Sequence, residues 1–263
     1  MPAYRWPRDF AVITNRPSRS AFAIRRSLGR NARVVRDAPG KSVEWHRYRI
    51  ALNWGCSYLA LAYTTESTLN QPSAVATVSN KLKFFETVGE LPNVVPSTTC
   101  KDEAKEWLDC DEAKVMCRTL VKSHSGRGCV VARNEEDLVD APLYTLYIKK
   151  RAEFRAHIFL GDVIGLQQKR KRSGIGTNYN PLVRSHANGW TYVVNNVDTS
   201  LLPNGWQDSL LRLARVCGLD FGAVDFCISS DDGKLYVFEI NSAPGLESPT
   251  ILEAYRSALL SYL

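Results

Sequence analysis

Two apolar segments near the end of the chain restrict the fold most strongly. They are FGAVDFCIS (221–229) and LYVFEIN (235–241), and the polar stretch SDDGK separates them. Their length and their aromatic and β-branched residues predict two strands of one hairpin. Asp225 interrupts the first segment, and Glu239 and Asn241 interrupt the second. Because burying such polar groups in an apolar strand is unfavourable in free energy, we expect the three residues to share a functional role.

The spacing of the polar residues in the second segment predicts which way they point. Glu239 and Asn241 are two positions apart, so their side chains lie on the same side of a strand. By the same rule Phe238 and Ile240 point to the opposite side, where we expect them to anchor the strand in the core. The face that Asp225 occupies depends on how the two strands are paired.

The turn decides that pairing. A two-residue turn over 232–233 would place Asp225 opposite Ile240, on the wrong side of the hairpin. A three-residue turn over 231–233 places it opposite Glu239. The three-residue turn needs a left-handed residue in its third position, where Gly233 stands. The sequence therefore predicts that Asp225, Glu239 and Asn241 converge on one face.

Two neighbouring carboxylates on a partly dry strand face repel each other. They must be protonated, paired with a base, or bridged by a metal ion. Oxygen ligands without nearby His or Cys suit Mg²⁺, which usually binds substrate phosphates as well. The alternative is that these residues form the solvent-facing side of an amphipathic strand, and both interpretations stay open at this point.

Two further features would suit a phosphate partner. SHSGRG (123–128) lies between the apolar segments KVMCRTLV and CVVA, where a glycine-rich turn can offer backbone N–H groups to phosphate. Such turns are common, so this signal is weak, and no Walker or dinucleotide-binding glycine motif is present. Arg118 is a lone cation in its apolar segment, and it predicts either a structural ion pair or a phosphate contact.

The basic residues allow several partners. The chain carries a net charge of +7, which favours an anionic partner. The runs 149–151 and 169–172 are either solvated strand ends or the rim of a cleft for ATP or an acidic substrate. Nucleic-acid binding ranks lower, because aromatic residues do not alternate with these basic residues as a stacking platform requires.

From about Asn70 to the end, the chain resembles the ATP-grasp superfamily of ATP-dependent carboxylate–amine ligases. The likeness is closest to the glutamate ligases that modify ribosomal proteins and to related phage and bacterial proteins. It is strongest at the hairpin, where the metal ligands of the superfamily, Asp and then Glu-x-Asn, match Asp225, Glu239 and Asn241. The resemblance implies two Mg²⁺ ions, with Mn²⁺ as an alternative, bridged by Glu239 and bound to ATP.

The resemblance also assigns an ATP site and a catalytic pair. It implies that Arg184 contacts the γ-phosphate and the acyl-phosphate, so that Arg184 and Glu239 are the catalytic residues. Arg118 stands where the superfamily usually has Lys, which changes the geometry of a phosphate contact. Tyr147 and Ile148 would line the adenine slot, and Glu153 would reach the ribose. The full set of implied ATP-binding residues is Lys81, Arg118, Gly126, Gly128, Tyr147, Ile148, Lys149, Glu153 and Arg184.

The implied fold is α/β (α+β), with two ATP-grasp subdomains that hold ATP between them. Strands alternating with a helix predict a small α/β domain over residues 1–70. The ATP-grasp domain then covers 71–263, with a phosphate-loop subdomain at about 100–148 and a metal-site subdomain at about 149–263. Apolar residues at helical spacing predict one long helix over 72–89, with Pro72 in its first turn.

The implied reaction forms an amide or peptide bond through an acyl-phosphate. Its partners are a carboxylate substrate and an amine acceptor, which we expect to be an amino acid, a peptide or a protein tail. Two alternatives stay open: an ATP-grasp phosphotransferase or kinase, and a non-catalytic nucleotide-binding module with a basic nucleic-acid-binding face. The sequence has no bilayer-length apolar stretch, no signal-peptide pattern and no C-x-x-C pair, so we expect a cytoplasmic protein with no membrane association.

Overall fold

Three β-sheets and six helices make up the described part of the chain. The computed structural model describes residues 8–38, 47–58, 67–110, 112–123, 127–177 and 179–263. Gly126, predicted to contact phosphate, lies outside these ranges. Among the helices of the described ranges, none combines the length and the apolarity that crossing a bilayer requires.

The first sheet is fully parallel. Its strands are β1 (Arg8–Thr14), β2 (Ala32–Arg36), β3 (Tyr48–Asn53) and β4 (Ser67–Leu69), in the order β2-β1-β3-β4. Helix α1 (Arg19–Leu28) connects β1 to β2. The Ser18 hydroxyl accepts a hydrogen bond from the backbone N–H of Ala21 (3.2 Å), and Gly29 ends the helix at φ 63°. Both ends follow from the sequence, because Ser favours the start of a helix and Gly tolerates a left-handed backbone after its end.

The predicted single helix over 72–89 is wrong. The structure has two helices, α2 (Pro72–Ser79) and α3 (Lys81–Val88), separated by Asn80 in an extended conformation (φ −114°, ψ 112°). The Asn80 side-chain oxygen accepts a hydrogen bond from the backbone N–H of Leu82 (3.0 Å). Asn competes with the helical backbone for such bonds, so an apolar pattern of uninterrupted helical period can still contain a break. The break makes Lys81 the first residue of α3.

The second sheet is antiparallel and lies in the middle of the chain. It is built from β5 (Ser97–Thr98), β6 (Val115–Arg118), β7 (Cys129–Ala132) and β8 (Leu143–Leu146), in the order β5-β8-β6-β7. Helix α4 (Lys101–Leu108) precedes β6. Cys117 and Tyr144 lie opposite each other in this sheet and are both buried in its core. Arg118 is the last residue of β6, although the apolar segment of the sequence continues to Val121.

The third sheet holds the predicted hairpin. Its antiparallel strands are β9 (Lys150–Phe159), β10 (Asp162–Lys171), β11 (Trp190–Val193), β12 (Phe221–Ser229) and β13 (Leu235–Asn241), in the order β11-β10-β9-β12-β13. Helix α5 (Trp206–Val216) precedes β12. The turn between β9 and β10 consists of Leu160 and Gly161, both at positive φ, whereas the sequence predicts a turn at Gly161 and Asp162. Strand β12 is buried along its whole length.

The last helix, α6 (Pro249–Ser261), returns to the first sheet. Its residues Ile251, Tyr255 and Leu259 share one apolar cluster with Phe10 and Val12 of β1. The end of the chain therefore packs with its beginning. A domain boundary at residue 70 stays a prediction, and the apolar core of the first sheet is completed by the C-terminal helix.

Buried His157 makes stability sensitive to acid. Its ring nitrogens lie within hydrogen-bond distance of the Tyr255 hydroxyl (3.3 Å) and of Gln167 (2.9 Å). Burial lowers the pKa of His157 from 6.5 to about 4. In the unfolded chain this histidine is protonated below about pH 6.5, whereas in the folded protein it stays neutral down to about pH 4. The free energy of unfolding therefore decreases as the pH falls from 6.5 towards 4. The linkage corresponds to about 3 kcal/mol over that range.

Urea unfolding at pH 7, 5.5 and 4.5 checks this prediction. His157→Asn should flatten the acid dependence of the free energy of unfolding, whereas His186→Asn, which removes an exposed histidine, should retain it. Equal acid dependence in the wild-type protein and His157→Asn would contradict the assignment.

Candidate active site

The predicted hairpin forms, but a different feature sets its pairing. Asp225 lies opposite Glu239, as predicted, and Gly233 is left-handed at φ 68°. The turn, however, is not the predicted three-residue turn. The backbone N–H of Ser229 donates to the carbonyl of Lys234 (2.9 Å), which leaves four residues in the loop and places the first pairs one residue out of the predicted register.

A β-bulge in β13 restores the pairing of the two carboxylates. Phe226 is paired with Val237 and Asp225 with Glu239, so Phe238 is an extra residue between them. Before the bulge Val237 faces the core, and after it Ile240 does. Without the bulge, strict alternation would turn Glu239 towards the core. Of the two predicted core anchors, Ile240 is buried in the core, whereas Phe238 is only partly buried: it packs against the core cluster and also lines a cavity.

That cavity lies between the second and third sheets and has a volume of about 870 Å³. Most of the predicted site residues line it. They are Lys81, Arg118, Tyr147, Ile148, Glu153, Arg184, Asp225, Glu239 and Asn241. The structure thus brings together residues from α3, β6, the connection after β8, and strands β9, β12 and β13.

Lys149 and Gly128 are predicted ATP contacts that do not line the cavity. Lys149 is exposed, and its carbonyl accepts hydrogen bonds from the backbone N–H (2.8 Å) and the hydroxyl (2.9 Å) of Ser230. Its neighbour Lys150 lines the cavity, with Nζ 4.1 Å from the centre of the Tyr147 ring. Burial lowers the pKa of Lys150 to about 8. Lys150 is the first residue of β9, and the sequence run of basic residues did not distinguish it from Lys149.

Asp225 and Glu239 are each paired with a cation. Arg155 donates two hydrogen bonds to Asp225, at 2.6 and 2.7 Å. Lys81 Nζ lies 2.9 Å from Glu239 and donates to the carbonyl of Ser123 at 3.0 Å. The two pairs lie next to each other and hold four charges in a small volume.

The two carboxylates respond differently to this environment. Burial raises the pKa of Asp225, although the Arg155 guanidinium opposes this effect. Burial also opposes ionisation of Glu239, but the Lys81 ammonium outweighs it and lowers the pKa to about 2, with a further contribution from Arg118. Glu239 is therefore a stable anion at neutral pH.

Arg155 and Tyr192 are cavity residues that the sequence analysis missed, and Lys169 is a cavity residue that it named only as part of the basic run 169–172. Lys169 forms an ion pair with Glu153, and the cationic groups of Arg155 and Lys169 lie 4.3 and 4.6 Å from the centre of the Tyr192 ring. A signal for Arg155 exists. Charged or polar residues occur at every second position in the apolar part of β9, at 153, 155 and 157, whereas the polar residues 167–171 of β10 are consecutive. This period of two marks one polar face of a sheet.

Several buried polar atoms of the cavity have no hydrogen-bond partner within the described ranges. They are Arg118 Nε, Glu153 Oε2, the Tyr192 hydroxyl and Ser248 Oγ. A buried polar atom without a partner costs free energy, and a polar ligand would remove that cost. Arg118 suits an anion, and Glu153 Oε2 suits a hydroxyl donor. The cavity is therefore suited to a polar, anionic ligand.

The hairpin offers a donor set that fits Mg²⁺. The Asn241 amide nitrogen lies 3.4 Å from an Asp225 oxygen and 3.5 Å from a Glu239 oxygen. Rotation of the amide by 180° would place its oxygen, instead of its nitrogen, beside the two carboxylates. Two carboxylates and an amide oxygen are the hard ligands that Mg²⁺ prefers. Within the described residues no group of three or more His, Cys, Asp or Glu side chains could hold a metal ion, so the amide completes the candidate set.

The Lys81–Glu239 pair yields a direct prediction. Lys81→Met should raise the pKa of Glu239 by at least about one unit, because burial remains while the nearest cation is lost. The titration of the Glu239 carboxyl carbon by NMR measures this change. Lys83→Met, which removes an exposed lysine from the same helix, is the control and should leave the pKa near 2. An unchanged pKa of Glu239 in Lys81→Met would show that Lys81 does not stabilise the ionised carboxylate.

Comparison with known proteins identifies the fold. No protein-family model and no curated protein matches the chain.

Solved structures, in contrast, are similar to it. The ATP-grasp ligase PsnB in complex with a minimal precursor is similar over 98% of this chain and 100% of its own, with a TM-score of 0.68 and 12% identity. The N5-carboxyaminoimidazole synthetase of Staphylococcus aureus, complexed with ADP, is similar over 97% of this chain and 77% of its own (TM-score 0.67, 13% identity). A RiPP-associated ATP-grasp ligase of Chryseobacterium gregarium, in complex with ADP and a leader and core peptide, covers 97% of both chains (TM-score 0.64, 15% identity). The predicted ATP-grasp fold is thus confirmed, and the chain has that fold from the first sheet to the last helix.

Proposed function

We propose that the protein is an ATP-dependent carboxylate–amine ligase that works through an acyl-phosphate. One observation carries this proposal: Asp225, Glu239 and Asn241 face a cavity that also contains cations from three other elements, Lys81, Arg118 and Arg184. Oxygen ligands opposite several fixed cations suit a metal-bound polyphosphate whose terminal group is transferred.

The nucleotide would lie along the cavity between the second and third sheets. Tyr147 and Ile148 provide apolar surface for the adenine, and the free oxygen of Glu153 is available to a ribose hydroxyl. Arg118 and Lys81 suit the phosphates. The complexes of two structural neighbours with ADP support a nucleotide in this fold. Lys150, beside the Tyr147 ring, adds a second cation near the adenine end.

Mg²⁺ would be held by Asp225, Glu239 and Asn241, and when bound it would neutralise charge on the phosphate oxygens. The donor set accommodates one ion directly. A second ion, as the resemblance implies, and Mn²⁺ as a substitute remain part of the proposal. Lys81 and Arg155, which balance the two carboxylates in the structure, would then be free to contact phosphate.

The chemistry requires positioning rather than a protein nucleophile. A carboxylate oxygen of the substrate attacks the γ-phosphorus of ATP, and the bond to the ADP oxygen breaks. An amine then attacks the carbonyl carbon of the acyl-phosphate, and phosphate leaves with the former carboxylate oxygen. The products are an amide, ADP and phosphate. Arg184 would balance the charge of the transferred group; its guanidinium donates to the carbonyl of Lys150 (3.0 Å), which fixes its position.

An amino acid, a peptide or a protein tail is the proposed substrate class. The neighbour solved with a leader and core peptide supports a peptide. The alternatives make different predictions. A phosphotransferase would turn over ATP without forming an amide, and a non-catalytic module would bind Mg·ATP without turnover. We place the reaction in the cytoplasm as a further part of the proposal.

Mass spectrometry with ATP, Mg²⁺ and a panel of amino acids, peptides and cell extract tests the proposal. We expect a product whose mass is the sum of two reactants minus one water, with ADP and phosphate released only when an amine is present. ADP release without an amide product in every mixture would favour a phosphotransferase and contradict a ligase.

Glu239→Ala tests the metal assignment. It should lower ATP turnover by at least about a hundredfold, because the transferred phosphoryl group loses its counter-charge. Circular dichroism should show an unchanged fold. Asp231→Ala, which removes a carboxylate from the exposed turn of the same hairpin, should retain activity. Turnover by Glu239→Ala at the wild-type rate would rule out the proposed site.

A further inference from the structure

The positive charge of the protein is concentrated in its first quarter. Residues 1–70 contain twelve Lys and Arg against four Asp and Glu, a net charge of +8. Residues 71–263 contain twenty-two against twenty-three, a net charge of −1. The part that carries the candidate metal site is therefore nearly neutral, and the first sheet with its helix carries the excess. Eleven of the twelve basic residues are Arg.

Seven of these arginines are exposed and have no ion-pair partner within the described ranges. The stretch 16–36 contains seven Arg and no Asp or Glu, and all seven side chains are exposed. In the ranges that the structure describes, no carboxylate lies within ion-pair distance of any of them. We call this set the arginine surface: Arg16, Arg19, Arg25, Arg26, Arg30, Arg33 and Arg36. Like charges held together without a partner repel, so the surface favours binding of an anion.

Helix α1 arranges part of the surface in a line. Arg19 is its first residue, and Arg26 lies seven positions later, on the same face. Phe22 stands between them on that side and is 50% exposed. A helix of ten residues is about 15 Å long. The line from Arg19 to Arg26 therefore offers two cations and an apolar contact over about 10 Å of the helix.

The arginine surface begins at the active-site cavity. Arg19 lines the cavity together with Gly245 and Glu247. The neighbouring Ser20 hydroxyl accepts a hydrogen bond from the backbone N–H of Leu246 (3.2 Å), in the loop that follows the metal-site strand. A ligand that runs along α1 towards its first residue thus arrives at the cavity in which the reaction is proposed.

We propose that the arginine surface binds an acidic segment of a peptide substrate and leads a carboxylate of that peptide into the cavity. This inference rests on the proposed ligase function. An extended peptide advances about 3.3 Å per residue, so four to five residues span α1. Arg binds carboxylates with two parallel hydrogen bonds, which makes it better suited than Lys to such a segment.

A peptide fits the observations better than a nucleic acid does. The surface opens into a cavity whose proposed chemistry consumes a carboxylate. Phe22 is the one aromatic side chain among residues 16–36, whereas sites for single-stranded nucleic acid combine several aromatic side chains with their cations.

Fluorescence anisotropy with labelled deca-glutamate, without ATP, tests the proposal. Arg25→Glu/Arg26→Glu should weaken binding by at least about tenfold relative to the wild-type protein. Arg212→Glu/Arg215→Glu makes the same charge change on exposed positions of α5 and should alter the Kd less than about twofold. Arg25→Gln/Arg26→Gln should also weaken binding of deca-glutamate, but by a smaller factor. This variant replaces the glutamate variant if the introduced glutamates disturb the fold of α1. Equal weakening by the α1 and α5 variants, or no binding to the wild-type protein, would overturn the inference.

Two further measurements separate the possible failures. A labelled single-stranded decanucleotide that binds more tightly than deca-glutamate, and that the α1 variant releases, would assign the surface to nucleic acid and overturn the proposal. Binding of ATP with Mg²⁺ in the absence of peptide should be unchanged in the α1 variant, because neither Arg25 nor Arg26 lines the cavity. A ligase that is active but does not bind deca-glutamate would contradict only this inference.

Discussion

Two carboxylates, Asp225 and Glu239, face each other on adjacent strands of the third sheet, and the arrangement of the cavity depends on balancing their charge. Arg155 and Lys81 provide that balance through ion pairs of 2.6 and 2.9 Å. Without those cations, a buried and a partly buried anion side by side would destabilise the sheet or take up protons. The requirement for balance ties β9 and α3 to the hairpin, although neither is its neighbour in the sequence.

The same pairs give the cavity its chemical character. A metal ion and a polyphosphate would replace Lys81 and Arg155 as partners of the carboxylates, and the released cations would then face the phosphates. The protein thus holds the charges that the proposed reaction needs before any ligand binds, which limits reorganisation during phosphoryl transfer. The β-bulge at Phe238 is the local distortion that makes this possible, because it turns Glu239 towards the cavity while Val237 and Ile240 stay in the core.

Much of this arrangement could be predicted from the sequence. The polar residues in apolar strands identified the hairpin, and the resemblance of its motif to the ATP-grasp superfamily anticipated the fold. The two principal errors have physical causes. The break at Asn80 depends on a side chain that caps α3, and the apolar period continues through it. The bulge follows from the core positions Leu235, Val237 and Ile240, whose spacing is incompatible with a regular strand. Arg155 was missed because the polar face to which it belongs spans two strands, and Lys169 was named only as part of the basic run 169–172.

A crystal structure with Mg²⁺ and a non-hydrolysable ATP analogue tests the central claim most directly. The account predicts a metal ion coordinated by Asp225 and Glu239, with Lys81 Nζ moved from Glu239 to a phosphate oxygen. The same crystal should show the amide oxygen of Asn241 directed at the ion. An intact Lys81–Glu239 pair with the analogue and the metal ion bound elsewhere would contradict the account.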